Sequence, residues 1–137
     1  MKTYKNEATK LKSNQIFVFG SNTQGRHGKG SALVARLNFG AIYGQAYGLQ
    51  GQSYAIVTKD LTKKIHPSVS ILSIIDQINK LYEFAEKNPD LDFIVAYSGV
   101  KINLNGFSNQ EMADMFSEVE IPKNIIFEYE FSKLIKK

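Results

Sequence analysis

The stretch from Ile16 to Phe39 constrains the fold of this chain more than any other. It begins with four apolar β-forming residues, Ile16–Phe19, which predict a buried strand. Ser31–Asn38 shows helical spacing, and the loop between the two segments contains Gly20, Gly25, Gly28 and Gly30. This arrangement typically binds anions, because glycines let backbone N–H groups approach a ligand and the helix dipole favours negative charge. A tight turn that needs glycine for its backbone angles alone is the alternative.

The rest of the chain alternates predicted strands and helices. Short runs of β-branched and aromatic residues predict strands at 54–58, at 93–97 and near 121–129. Helical spacing predicts a helix at 71–87, after the N-cap candidate Ser70, and a capping box at 108–111 predicts another at about 109–116. We therefore expect residues 1–137 to form one α/β domain with a largely parallel sheet between helices. The polar residues 1–14 are expected to form an irregular or edge segment.

Charge is distributed unevenly along the chain, although the net charge is only +4. Residues 13–64 hold six basic side chains and one acid, whereas residues 65–132 hold four basic and eleven acidic ones. The glycine-rich half is therefore locally positive, which favours an anionic ligand. A nucleic-acid or protein-interaction domain that uses the lysine-rich ends is the less favoured alternative, because the body of the chain has only two arginines and no dense basic stripe with aromatic residues.

Composition argues against several other classes of protein. There is no cysteine, and the two histidines stand apart from spaced acids, so we predict no metal site and no cofactor. No apolar run reaches the roughly 18 residues of a membrane-spanning helix. The N-terminus also lacks the apolar core of a signal peptide. We expect a cytoplasmic protein without a membrane partner.

Several residues near the predicted site allow two interpretations each. Residues 42–52 form a second glycine-rich segment, whose Tyr43 and Tyr47 could stack on a flat ligand or cover the edge of the core. His27 could act as an acid or base, although a solvent-exposed loop histidine is the more frequent outcome. Lys59 ends the second predicted strand, where a charged amine would bind phosphate or form an ion pair and a neutral one could act as a nucleophile.

Three separated blocks resemble the macro-domain superfamily. They are GRHGKGSALVARLNFGA at 25–41, SYAIVTKD at 53–60 and AYSGVKINLNGFSNQEMADMF at 96–116. The likeness is greatest to the branch typified by the terminal ADP-ribose protein glycohydrolase, and to small phage and bacterial macro-like proteins. The resemblance implies a macro-domain-like, three-layer α/β/α sandwich in a bacterial or phage-infected cell. It also implies that the chain binds ADP-ribose or a related NAD-derived nucleotide, alone or on an ADP-ribosylated macromolecule.

The resemblance also implies roles for individual residues. Lys59 occupies the position of the lysine that attacks the distal ribose in the glycohydrolase branch, and Asn22 lies near that ribose. The assisting aspartate of that branch falls near Asn103 or Asn105, and neither is an acid. The resemblance therefore leaves two alternatives, hydrolysis of an ADP-ribosyl conjugate or of an ADP-ribose phosphate, and binding without turnover. Besides the catalytic candidates Lys59 and Asn22, the predicted ligand-binding residues are Gly20, Ser21, His27, Gly28, Lys29, Gly30, Ser31, Ala32, Ser98, Gly99, Val100, Asn105, Gly106 and Phe107.

Overall fold

A computed structural model describes residues 1–5 and 10–136 of the chain. The strands are β1 (Thr3–Tyr4), β2 (Gln15–Asn22), β3 (Gly48–Gln50), β4 (Ser53–Lys59), β5 (Asp92–Val95) and β6 (Ile125–Glu128). The helices are α1 (Gly30–Asn38), α2 (Ile71–Lys87), α3 (Asn109–Phe116) and α4 (Tyr129–Ser132). Among these residues, no helix has the length and apolar character needed to cross a membrane.

The described strands form one mixed sheet in the order β1-β6-β5-β2-β4-β3. All neighbouring pairs run parallel except β3 and β4, which run antiparallel. An α/β fold with a mostly parallel sheet, as the alternation of elements predicted, is therefore confirmed. β2 lies between β4 and β5 and runs parallel to both. The carboxyl ends of these strands therefore lie along the same edge of the sheet.

Helices cover both faces of the sheet, because successive residues of the inner strands present apolar side chains to opposite faces. Phe17 and Phe19 of β2 pack with Ala32 and Ala35 of α1 on one face. Val18 packs on the opposite face, in a larger cluster that contains buried residues of α2, α3 and α4. Residues that alternate along a strand point to opposite faces, so the apolar run of β2 is buried on both.

Local capping signals predicted two of the helices well. α2 and α3 have the predicted bounds, because Ser70 and Ser108 cap their first turns and Glu111 completes the capping box. Gly40, which follows the C-cap Phe39 of α1, has a left-handed φ of 74°, as glycines after helix ends commonly do. The sequence did not predict β3 or α4. The N-terminal segment contains β1, an edge strand that runs parallel to β6.

Candidate functional site

The strand order creates a crevice between the carboxyl ends of β2 and β5. The chain leaves β2 for α1 on one face of the sheet, and it leaves β5 for α3 on the other face. Ligands of open α/β sheets bind where neighbouring strands diverge in this way. A cavity of about 910 Å³ lies here, between the glycine loop after β2 and the loop 96–107 after β5.

Most of the predicted site residues meet in this cavity. Its lining includes Gly20, Ser21, Asn22, Gly28, Lys29, Gly30, Ser31, Ala32, Lys59, Ser98, Val100 and Asn105. The structure thus brings together the glycine loop, the end of β4 and the loop after β5. Asn22 and Lys59 are direct partners in the register of β2 and β4, so the two catalytic candidates are neighbours.

The side chain of Asn22 holds the first turn of the glycine loop. Its Oδ1 accepts hydrogen bonds from the backbone N–H groups of Gln24 (3.2 Å) and Arg26 (2.9 Å). Its Nδ2 donates to the carbonyl oxygen of Arg26 at 2.9 Å. Both ends of the amide are engaged within the loop, so the side chain of Asn22 orders the backbone of residues 22–26.

The N-terminus of α1 opens into the cavity. The side chain of Lys29, at the N-cap position, makes no capping hydrogen bond. The backbone N–H of Leu33 donates to the carbonyl of Lys29 at 3.2 Å, so the N–H groups of Gly30, Ser31 and Ala32 precede the first such bond. These donors and the helix dipole provide an anion site at the wall of the cavity.

The charged side chains that line the cavity are mainly cationic. Lys5, Arg26, Lys29, Lys59 and Lys101 all contribute to its surface. Of the described residues in the lining, one carries a carboxylate, and this residue is Glu128. Its oxygens accept from the backbone N–H groups of Gly99 (3.0 Å), Glu130 (2.8 Å) and Phe131 (3.1 Å). Because that carboxylate is committed to local backbone donors, the cavity presents positive charge to a ligand.

Lys59 is half-buried and has no ion-pair partner among residues 1–5 and 10–136. The carboxylate of the adjacent Asp60 accepts hydrogen bonds from the N–H (2.9 Å) and hydroxyl (2.7 Å) of Thr62. These bonds lower the pKa of Asp60. Lys59 is therefore placed to meet an anion in the cavity, with no carboxylate of the described chain neutralising it.

The opposite wall is the loop after β5. The Ser98 hydroxyl accepts from the backbone N–H groups of Val100 (3.0 Å) and Lys101 (3.1 Å), which shapes the start of this wall. Apolar side chains follow, and Ile102 is 92% exposed. Leu104 approaches the glycine loop, since its Cδ1 would lie 3.6 Å from a Cβ placed at Gly30. The two walls of the cavity thus nearly meet at the N-terminus of α1.

Four predicted ligand-binding residues lie outside the cavity lining that the described residues form. Phe107 is buried in the larger core. Gly99 packs against the backbone of Glu130, and a Cβ at Gly106 would lie 2.7 Å from the carbonyl carbon of His66, so both glycines are needed for close packing. His27 is 0% exposed, which shows that the expectation of a solvent-exposed loop histidine was wrong.

The second glycine-rich segment also lies away from the cavity. It contains β3, and the guanidinium of Arg36 lies 5.6 Å from the ring centroid of Tyr43. The hydroxyl of Tyr47 lies 3.3 Å from that of Tyr54. Both tyrosines therefore contact the outside of α1 and β4, and neither contributes to the cavity surface.

Several residues of the lining are not among the predicted ligand-binding residues. Arg26 stands in the glycine loop, and its charge was a usable signal. Tyr97 lies under the strand ends, where a Cβ at Gly20 would be 2.7 Å from its hydroxyl. Burial raises the pKa of Tyr97 to about 12, and the neighbouring Thr58 hydroxyl partly offsets that rise. Lys5 and Glu128 come from the two ends of the chain, and only the sheet order brings them here.

No protein-family model, no curated protein and no solved structure matches this chain. The described residues also contain no group of three or more histidine, cysteine or acidic side chains placed to hold a metal ion. The groups that the site offers to a ligand include the backbone N–H groups at the start of α1 and the amines of the lining lysines, which are suited to bind an anion.

Proposed function

We propose that this chain binds ADP-ribose or a related NAD-derived nucleotide, with the diphosphate at the N-terminus of α1. The observation that carries the proposal is the uncapped first turn of α1, which opens into a cavity lined by cationic side chains at the carboxyl ends of parallel strands. Such a terminus binds phosphate groups through backbone N–H donors. The volume of about 910 Å³ suits a nucleotide-sized ligand.

The blocks that resemble macro domains support the same proposal. Residues 25–41 provide the glycine loop and α1. Residues 53–60 contain β4 with Lys59 at its end, and residues 96–116 begin with the opposite wall of the cavity. Segments far apart in sequence thus converge on one cavity, as a shared ligand site requires. Apolar surface from Val100, Ile102 and Leu104 is available for the flat base of a nucleotide.

Binding without turnover is the form of this function that the side chains favour. A lysine nucleophile needs a neutral amine and an acid–base partner. The one carboxylate in the described lining, Glu128, is held by three backbone donors, and Asn105 uses its Oδ1 to accept from the N–H of Phe107 at 2.9 Å. Hydrolysis of an ADP-ribosyl conjugate is the second candidate, which the adjacency of Lys59 and Asn22 favours.

The test uses Gly28, which lines the cavity and has no heavy atom within 4 Å of a built Cβ. We expect calorimetry to show ADP-ribose binding by the wild type and about tenfold weaker binding by Gly28→Glu than by Gly28→Gln, because only the former adds negative charge beside the diphosphate. Equal affinities of the two variants would exclude this loop as the diphosphate site. A turnover assay with an ADP-ribosyl ester, expected to show no release, separates the binding module from the hydrolase.

A further inference from the structure

A buried polar network joins the two glycine-rich segments behind the cavity. The Nε2 of His27 lies 3.1 Å from the carbonyl oxygen of Gln45 and 3.2 Å from the Oε1 of Gln50. Both neighbours are acceptors, so the ring proton resides on Nε2 and is shared between them. Gln50 is itself buried, and its Oε1 also accepts from the N–H of Ile42 at 2.8 Å.

The remaining atoms of the network fix its orientation. The Nε2 of Gln50 donates to the carbonyl of Gln45 at 3.1 Å, so turning its amide over would place two acceptors against each other there and two donors against each other at the N–H of Ile42. The Nδ1 of His27 is buried and has no hydrogen-bond partner in the described structure. The ring of Phe19 meets the imidazole edge-on, at 5.1 Å between centroids. The ring is therefore held by packing and by the contacts of Nε2 alone.

The backbone of the glycine loop also contacts the second glycine-rich segment directly. The N–H of Gly44 donates to the carbonyl of Gly25 at 2.8 Å. A Cβ at Gly25 would lie 2.6 Å from the carbonyl carbon of Gly44, so the two segments are in van der Waals contact there. Arg26 and Gly28, which flank His27 in sequence, both line the cavity. The network thus anchors the loop at the residue between two cavity residues.

We propose that His27 and Gln50 are positioning residues, which set the geometry of the anion-binding loop without touching the ligand. The second glycine-rich segment is then the support of the site. The expected effect of His27 and Gln50 on ADP-ribose affinity rests on the proposed function. Their effect on the loop does not require a ligand, because the contacts of Nε2 hold residues 25–28 against residues 44–50.

The first experiment measures amide hydrogen exchange of the unliganded protein. His27→Phe keeps a ring beside Phe19 but removes the Nε2 donor. We expect exchange at the amides of Arg26 and Gly44 to rise about tenfold, the equivalent of one lost hydrogen bond. The control Tyr82→Phe removes a buried hydrogen bond to the Phe116 carbonyl on the other face of the sheet, and it should leave both amides unchanged.

The second experiment measures ADP-ribose affinity of the same proteins by calorimetry, at a temperature where circular dichroism shows each to be folded. His27→Phe should bind at least about fivefold more weakly, while His27→Gln, which retains an amide donor, should recover most of the affinity. Tyr82→Phe should bind like the wild type, which separates positioning from a general loss of stability. If His27→Phe does not fold, Gln50→Leu tests the network from its acceptor side.

The outcomes distinguish the two proposals. Wild-type affinity in His27→Phe, or unchanged exchange at Arg26 and Gly44, overturns the positioning role. Equal weakening by His27→Phe and Tyr82→Phe overturns it as well, since both would then act through stability. If the wild type binds no ADP-ribose, the proposed function fails, and the exchange measurement alone decides whether the network holds the loop.

Discussion

Asn22→Ala offers a direct test of how the glycine loop is built. The Asn22 amide makes three hydrogen bonds to the backbone of Gln24 and Arg26, at 2.9 to 3.2 Å. Alanine removes all three and leaves the strand β2 intact, because Asn22 is its last residue. The expected consequence is a loop that samples several conformations before a ligand binds. Affinity then falls by the cost of ordering the loop again.

The magnitude follows from the hydrogen bonds. Each contributes about 1 kcal/mol to a folded structure, and less where water can replace the partner. Asn22 is half-buried, so we expect a total of about 2 kcal/mol, or roughly thirtyfold in the dissociation constant. Gln24→Ala is the matched control, because the side chain of Gln24 is exposed and lies two residues further along the same loop. It should bind ADP-ribose like the wild type.

Calorimetric titration with ADP-ribose measures the change, and hydrogen exchange at the Arg26 amide reports the order of the loop. Asn22→Ala should weaken binding and speed exchange together. Retained affinity with faster exchange would show that loop order does not limit binding, and the reasoning would be refuted. Retained affinity with unchanged exchange would show that the three hydrogen bonds do not hold the loop.

Two further predictions concern stability. Tyr97→Phe should leave the melting temperature unchanged or raise it slightly, because the Tyr97 hydroxyl is buried without a hydrogen bond of ordinary geometry in the described structure; a fall as large as that of Tyr82→Phe in thermal denaturation would contradict this. The hydrogen bonds from Thr62 lower the pKa of Asp60 below its unfolded value of about 3.9, so their stabilisation is present above that pH and is lost as the pH falls through the folded-state pKa. Below about pH 4, the free energy of unfolding measured in urea should therefore depend less steeply on pH in Asp60→Asn than in the wild type. An unchanged pH dependence would contradict the assignment.

Much of the fold could be predicted because its signals are local. Ser70 and Ser108 mark helix starts by capping backbone N–H groups within three residues, so the bounds of α2 and α3 follow from short motifs. β1 has only two residues and exists through its pairing with β6 at the far end of the chain. β3 has the sequence Gly-Leu-Gln, which has little strand propensity, and it forms because β4 offers it a partner.

The site divides in the same way. The glycine loop and the N-terminus of α1 could be identified from residue types in one stretch, because anion binding there uses the backbone of consecutive residues. The environment of His27 could not, since a glycine-rich loop is normally exposed and only the packing of residues 42–50 behind it buries the ring. Gly99 and Gly106 also appeared to be ligand glycines, whereas tertiary packing against Glu130 and His66 requires them.

The sequence by itself determined the elements whose causes lie within a few residues: the central strand, the glycine loop, the capped helices and the uneven charge of the two halves. Only the tertiary structure decided which of these elements face one another. The sheet order brings Lys5 and Glu128 from the chain ends to the cavity, pairs Asn22 with Lys59, and turns a second glycine-rich segment into the support of the first. The physical reason is that contacts between residues distant in sequence settle which strands and loops become neighbours, and a local apolar pattern predicts that a segment is buried but not which segment it packs against.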